Sequence, residues 1–509
     1  MVEPPEQQDP AGRTRGQGPA RRTRRTAPGP RRRHDREIIA LALPAFGALV
    51  AEPLFVMVDS AVVGHLGTAQ LAGLGVAATL LTTAVNIFVF LAYATTAAVA
   101  RRVGAGDPLG ALRQGVDGIW LALLLGALVI AAVLPGAPAL VDLFGASHTA
   151  APYATSYLRI SSLGIPAMLV VLAATGVLRG LQDTRTPLYV AVAGFTANAG
   201  LNAGLVYGAG LGIAGSAWGT VIAQNGMAAV YLAVVVRGVR RKAAEAAEAR
   251  RDTEPEWGSG RDLGPDVRPD AGSERDPGAD APGRAEWWAL LRPDAAGIRA
   301  CARAGAPLLV RTLSLRAVLI IATAVAARLG DTEIAAHQIT LTVWSLLAFA
   351  LDAIAIAGQA IIGRYLGADD PAGAQGACRR MVEWGVACGV VLGLLVVLSR
   401  PLIGPLFSSD PAVRHALASA LLVVAIAQPV AGVVFILDGV LMGAGDGPYL
   451  AWSMLATLAV FAPVAFAVPA LGGGLTALWW AMGLMMLTRL AALWPRTRSG
   501  RWIVTGAAR

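Results

Sequence analysis

From about residue 38 to residue 494 the chain is a succession of apolar runs, most of them long enough to cross a lipid bilayer. A hydrocarbon core about 30 Å thick needs about 20 apolar residues per helical crossing. Inside lipid every backbone N–H and C=O must be paired within the protein, which leaves α-helices and closed β-barrels. Barrel strands alternate apolar and polar side chains, and these runs do not. Breaks at Gly, Pro and charge divide them into twelve segments, at about 38–63, 70–99, 115–135, 153–178, 187–208, 213–236, 299–327, 334–362, 381–399, 414–442, 449–469 and 474–494. The expected fold is an all-α polytopic membrane protein with twelve transmembrane helices.

Composition narrows the class further. Of 509 residues only 15% are charged and 55% are hydrophobic, whereas soluble domains carry about 25% charge. That excludes a soluble enzyme, a disordered chain and a fibrous repeat. The net charge of +9 is segregated. Residues 1–36 are rich in Arg, Pro and Gly, which reads as a disordered basic tail. It lacks the apolar core of a secretory signal. Its expected role is to orient the chain and touch anionic lipid, and nucleic acid is not an expected partner. A second polar stretch, 237–297, opens with a helix-prone run from Arg240 to Arg251. It reads as a linker between a six-helix lobe at 37–236 and another at 298–495, with a basic tail at 496–509.

Loop charges test the count. With the N-terminus inside, alternate loops hold Arg101, Arg102 and Arg113, then Arg179 and Arg185, then the linker, then Arg364, Arg379 and Arg380. The opposite loops, around His65, His148, Gly210 and Gly472, are poor in Arg. By the positive-inside rule both termini are cytoplasmic, in a multi-pass protein of the cell membrane.

The two lobes repeat each other. At a shift of 263 residues Pro44 falls on Pro307, Arg101 on Arg364, Gly104 on Gly367 and Asp107-Pro108 on Asp370-Pro371. Further along, Gly176-Val177-Leu178 falls on Gly439-Val440-Leu441, Gly180 on Gly443 and Asp183 on Asp446. An even number of helices per copy gives both copies one orientation, about an axis along the membrane normal. The four aspartates read as tight turns.

Two parallel bundles suggest alternating access, each rocking about a central cavity. The sequence holds no zinc-protease helix motif, no Gly-x-Ser-x-Gly and no phosphate-binding loop, so neither an enzyme nor an ATP-driven pump is expected. Cys301, Cys378 and Cys388 lack metal-ligand spacing. No cofactor and no resident metal are expected; the energy source left is an ion gradient.

Ionisable groups inside spans are costly and become functional candidates. The first helix carries Glu52 and Asp59, seven residues apart and so on one side, together with Pro44 and Pro53. Proline permits a bend. The fifth helix carries Asn198 and Asn202 on one face, and the sixth Ser216, Thr220 and Gln224. These groups either satisfy one another as interhelical glue or supply polar neighbours to Asp59 for a proton or Na⁺. The bland reading of the carboxylates is snorkelling or pairing with an Arg. In the second lobe Arg311, Arg316, Asp352, Gln359 and Asp438 read as structural, with Arg316–Asp352 as an example of an ion pair.

The stretch from Val58-Asp59-Ser60 to His65-Leu66-Gly67, with Gln70-Leu71-Ala72 behind it, resembles the first-helix signature of the multidrug and toxic compound extrusion (MATE) family. Gly176–Asp183, Asn198–Asn202 and Gly439–Gly443 are similar to its later motifs, over about residues 37–495, and nearest to the DinF-like branch. The resemblance implies efflux of organic, often cationic, compounds in exchange for H⁺ or Na⁺. It implies an acidic coupling residue at Asp59, a polar pair at Asn198 and Asn202, a hydroxyl at Thr220 and a bending proline at Pro44. Glu52 is a candidate second titrating group. Many relatives have Asp where this chain has Asn202, which favours H⁺ over Na⁺. The expected partners are a small organic substrate and the bilayer, and the expected unit is a monomer. The rivals are a Na⁺-coupled antiporter and a flippase for lipid or lipid-linked saccharide, the latter kept open by Arg311 and Arg316.

Overall fold

The protein's computed structural model describes residues 30–253 and 282–507, without the side chains at 30, 52, 55, 56, 58, 249–253 and 282–286. The basic arm before Pro30, linker residues 254–281 and the Glu52 side chain lie outside the described residues. The first lobe is built from α1 (Pro30–Gly64), α2 (Thr68–Ile87), α3 (Phe90–Gly104), α4 (Pro108–Leu143), α5 (Ala151–Ser162), α6 (Ile165–Gly180), α7 (Arg185–Ala203) and α8 (Gly212–Thr253). A short α9 (Pro282–Leu291) precedes the second lobe: α10 (Ala295–Leu329), α11 (Asp331–Gly367), α12 (Pro371–Phe407), α13 (Pro411–Gly443), α14 (Gly447–Ala470) and α15 (Leu475–Arg498). Ten helical runs are long and apolar enough to cross a membrane, and α5 with α6, bent by 50°, makes an eleventh. The 35-residue α1 completes twelve. Large apolar side chains on the flanks, Leu406 and Trp452 among them, are exposed, as a lipid-facing surface requires.

Local chemistry explains where the helices start. Asp107 and Asp370 accept hydrogen bonds from the backbone N–H of Gly110 (2.8 Å) and Gly373 (2.7 Å), with Pro108 and Pro371 at the first helical position. Asp caps the free N–H groups and Pro loses nothing there. Asp183 likewise accepts from the N–H of Thr186 at 3.0 Å. Asp446 also stands in a tight turn, between α13 and α14, and its carboxylate in addition takes Arg496 of α15 at 2.8 Å.

The repeat is visible in the packing. A Cβ on Gly176 would stand 2.6 Å from the Ala92 carbonyl oxygen, and one on Gly439 would stand 2.5 Å from that of Ala355. Ala355 is Ala92 displaced by the same 263 residues. Thus α6 lies on α3 as α13 lies on α11, at a distance only glycine allows. The seam between lobes has the same symmetry. A Cβ on Gly104 would lie 2.0 Å from the Arg364 carbonyl oxygen, and one on Gly367 would lie 1.9 Å from that of Arg101. This seam lies on the face that carries both described chain ends. There Arg101 donates to the carbonyls of Ala444 (2.8 Å), Gly506 (3.2 Å) and Val504, while Arg364 reaches Gln182 (3.0 Å) and Glu37 (3.1 Å).

Several boundaries differ from the sequence reading. The second and fourth crossings are each two helices, not one. Gly164 and Pro166 account for the break between α5 and α6, because proline removes a backbone donor; nothing in the sequence explains the break at Phe88-Val89. Residues 30–36, expected to be disordered, form the first turns of α1, held by Asp35 to Arg380 at 2.6 Å. In the expected linker, α8 runs on to Thr253 and α9 docks on α4, whose Arg113 donates to the carbonyls of Ala289 (3.0 Å) and Leu290 (2.9 Å).

Candidate functional site

Asp59 sits near the far end of α1 from the chain termini and is 6% exposed. Its Oδ1 accepts from Asn202 Nδ2 (2.7 Å) and from Ser216 Oγ (2.6 Å), and its Oδ2 from Tyr157 Oη (3.2 Å). Three helices, α5, α7 and α8, therefore converge on one carboxylate of α1. The reason is partly local: Asn198 and Asn202 are one helical turn apart, and so are Ser216 and Thr220. Asn198 Nδ2 donates to Thr220 Oγ1 at 3.2 Å, joining the second pair to the first. Both amide oxygens, Asn198 Oδ1 and Asn202 Oδ1, are buried without a hydrogen-bond partner. Among the described residues no cationic side chain lies within ion-pair distance of Asp59. The carboxylate is held by neutral donors alone, in a wall where a bare charge is expensive.

Of the residues singled out in the sequence, Asp59, Asn198, Asn202 and Thr220 come together. Pro44 stands about four turns away in an unbroken α1. Gln224 points elsewhere, its Nε2 3.4 Å from Met168 Sδ. Tyr157 was not anticipated. A tyrosine in an apolar span reads as packing, and only the fold brings α5 beside α1.

The second lobe corrects the proposed pair of Arg316 with Asp352, for no such contact forms. The ion pairs are instead those of Asp438, whose Oδ2 takes Arg311 Nη2 at 2.6 Å and also Arg489 Nη2. Arg489 was missed, although an arginine inside the last apolar run is itself a signal.

A duplicated twelve-helix bundle with buried, hydrogen-bonded carboxylates has the architecture of a membrane transporter. Comparison with known proteins gives the family. The sequence model of the MatE family matches residues 44–203 and again 307–468, once per lobe and in the register of the repeat. The chain is 30% identical to Protein DETOXIFICATION 44, chloroplastic, of Arabidopsis thaliana, over 92% of this chain and 83% of that one. It is 29% identical to the DNA damage-inducible protein F of Escherichia coli, over 92% and 94%. A crystal structure of a MATE protein in the bent conformation superposes with a TM-score of 0.76 at 19% identity, covering 93% of this chain and 97% of that one. The chain belongs to the MATE family, whose members are membrane transporters and not enzymes.

Proposed function

We propose that the protein exports small organic compounds across the cell membrane in exchange for protons, by alternating access, with Asp59 as the proton carrier. The observation that carries this reading is the buried Asp59 carboxylate, ringed by Tyr157, Asn202 and Ser216 and by no cation. A proton arriving from outside neutralises that charge and weakens its hold on three helices. The first-lobe wall then repacks and α1 bends near Pro44. Rocking of the lobes at the seam presents Asp59 to the cytoplasm, where the proton leaves. Asn198 and Thr220 hold Asn202 and its neighbours in place, and Glu52, seven residues before Asp59, serves as a second titrating group. Both termini are cytoplasmic in this scheme, so the closed seam is the inner gate.

The two orphaned amide oxygens of Asn198 and Asn202 support a second reading, in which Na⁺ takes the place of the proton. Purified protein in proteoliposomes separates the two. With a fluorescent organic compound that the protein binds as the probe, flux is expected under an imposed pH gradient alone and is expected to fall to background in Asp59→Asn. Flux that responds only to a Na⁺ gradient selects the second reading, and undiminished flux in Asp59→Asn removes Asp59 from the mechanism.

A further inference from the structure

The charged groups of the second lobe are unbalanced. Arg311 of α10 and Arg489 of α15 meet on a single oxygen of Asp438, with 11%, 5% and 6% of these side chains exposed. Two guanidinium groups thus share one carboxylate oxygen. Asp352 of α11 lies within electrostatic reach of both arginines, and also of Arg179 from the first lobe. Tyr93 of α3, a neutral phenol projecting from the first lobe, lies within electrostatic reach of Arg179, Arg311, Asp352 and Asp438, and Arg316 lies within reach of Tyr93. The cluster spans the lobe interface and sets three guanidinium groups, those of Arg179, Arg311 and Arg489, against two carboxylates, with Arg316 at its edge within reach of Tyr93. Arg179 stands in the last turn of α6, where helix carbonyl ends offset part of its charge. An excess of positive charge still remains inside a membrane protein, where unpaired charge is costly.

A second observation points the same way. Arg311 Nε is buried and has no hydrogen-bond partner, although buried donors are almost always satisfied. Its free edge and the uncompensated charge together call for an anionic acceptor. A planar guanidinium fork suits a carboxylate. A cation entering here would meet an excess of like charge.

Resting on the transport reading above, we propose that this inter-lobe cluster is the substrate site and that it takes organic anions carrying carboxylate groups. The site then fills with the charge it lacks only when a substrate arrives, so an empty and a loaded transporter differ in their internal electrostatics.

Binding and flux test this separately. The probes are carboxyfluorescein as the anion and ethidium as the cation, titrated into detergent-purified protein and followed by fluorescence anisotropy. Carboxyfluorescein is expected to bind in preference to ethidium, and its affinity to fall about tenfold or more in Arg311→Gln and in Arg316→Gln. Arg316 makes no ion pair among the described residues, so its variant tests the site even if loss of Arg311 disturbs folding. Arg328→Gln, at the far end of α10, is expected to bind as wild type. Equal affinity in both site variants, or preference for ethidium, overturns the proposal. Displacement of the dye by phosphatidylglycerol micelles but not by succinate overturns it in favour of a lipid headgroup. Binding that behaves as expected without flux under any gradient leaves the anion site standing and refutes the transport reading instead.

Discussion

At Asp59 a phenol, an amide and a hydroxyl donate to one carboxylate. A buried hydrogen bond to a charged group is worth about 1.5–3 kcal/mol, so each donor matters separately. Tyr157→Phe keeps the ring, which is 3% exposed, and removes only the bond. Proton-driven flux is expected to drop about tenfold, with a loss of thermal stability no larger than that one bond; flux equal to wild type would make Tyr157 a packing residue. The sequence carried most of this site, because amides and hydroxyls one turn apart in apolar helices are conspicuous. It could not carry Tyr157, which lies 98 residues from Asp59. Nor could it pair Asp438 with Arg489 rather than Asp352 with Arg316, since partner choice depends on which helix faces which.

At the scale of the element, α1 is fixed at its N-terminal end by a cluster beyond the spanning segment. Asp35 accepts from Arg380 Nε (2.6 Å) and Trp384 Nε1 (2.8 Å), both on α12. The hydrogen bond from Arg380, followed by that from Trp384, holds the Asp35 carboxyl below the usual carboxylate range. A lowered value means that the anchor is fully present above the ordinary carboxylate pKa of about 4 and is lost as pH falls through the lowered one. Protection of the amides at residues 31–38 against hydrogen exchange, relative to an unstructured chain at the same pH, is therefore expected to be high at neutral pH and to fall only in acid below about pH 4. Arg380→Ala is expected to lower that protection at neutral pH towards the acid value of the wild type. Rapid exchange in the wild type at neutral pH would remove the anchor. This helical start lay hidden in the sequence because an arginine-rich run reads as a tail, and the groups that order it sit 345 residues away. The twelve crossings were legible because lipid permits few solutions. The two breaks within crossings were less so, as one has no Pro or Gly behind it.

At the scale of the whole molecule, the two lobes meet through matching residues. Gly104 touches Arg364, Gly367 touches Arg101, and each pair maps onto the other under the 263-residue shift. Residue i meets j and j meets i, which is the signature of an isologous contact between identical subunits. The seam is thus a homodimer interface preserved inside one chain. An interface of this form can hold two separate copies together without a covalent link. The covalent link is then dispensable for association. Two fragments divided between residues 254 and 281 and co-expressed are expected to co-purify, and Gly104→Leu with Gly367→Leu is expected to separate them. Fragments that never meet would mean that the tether, and not the seam, keeps the halves together.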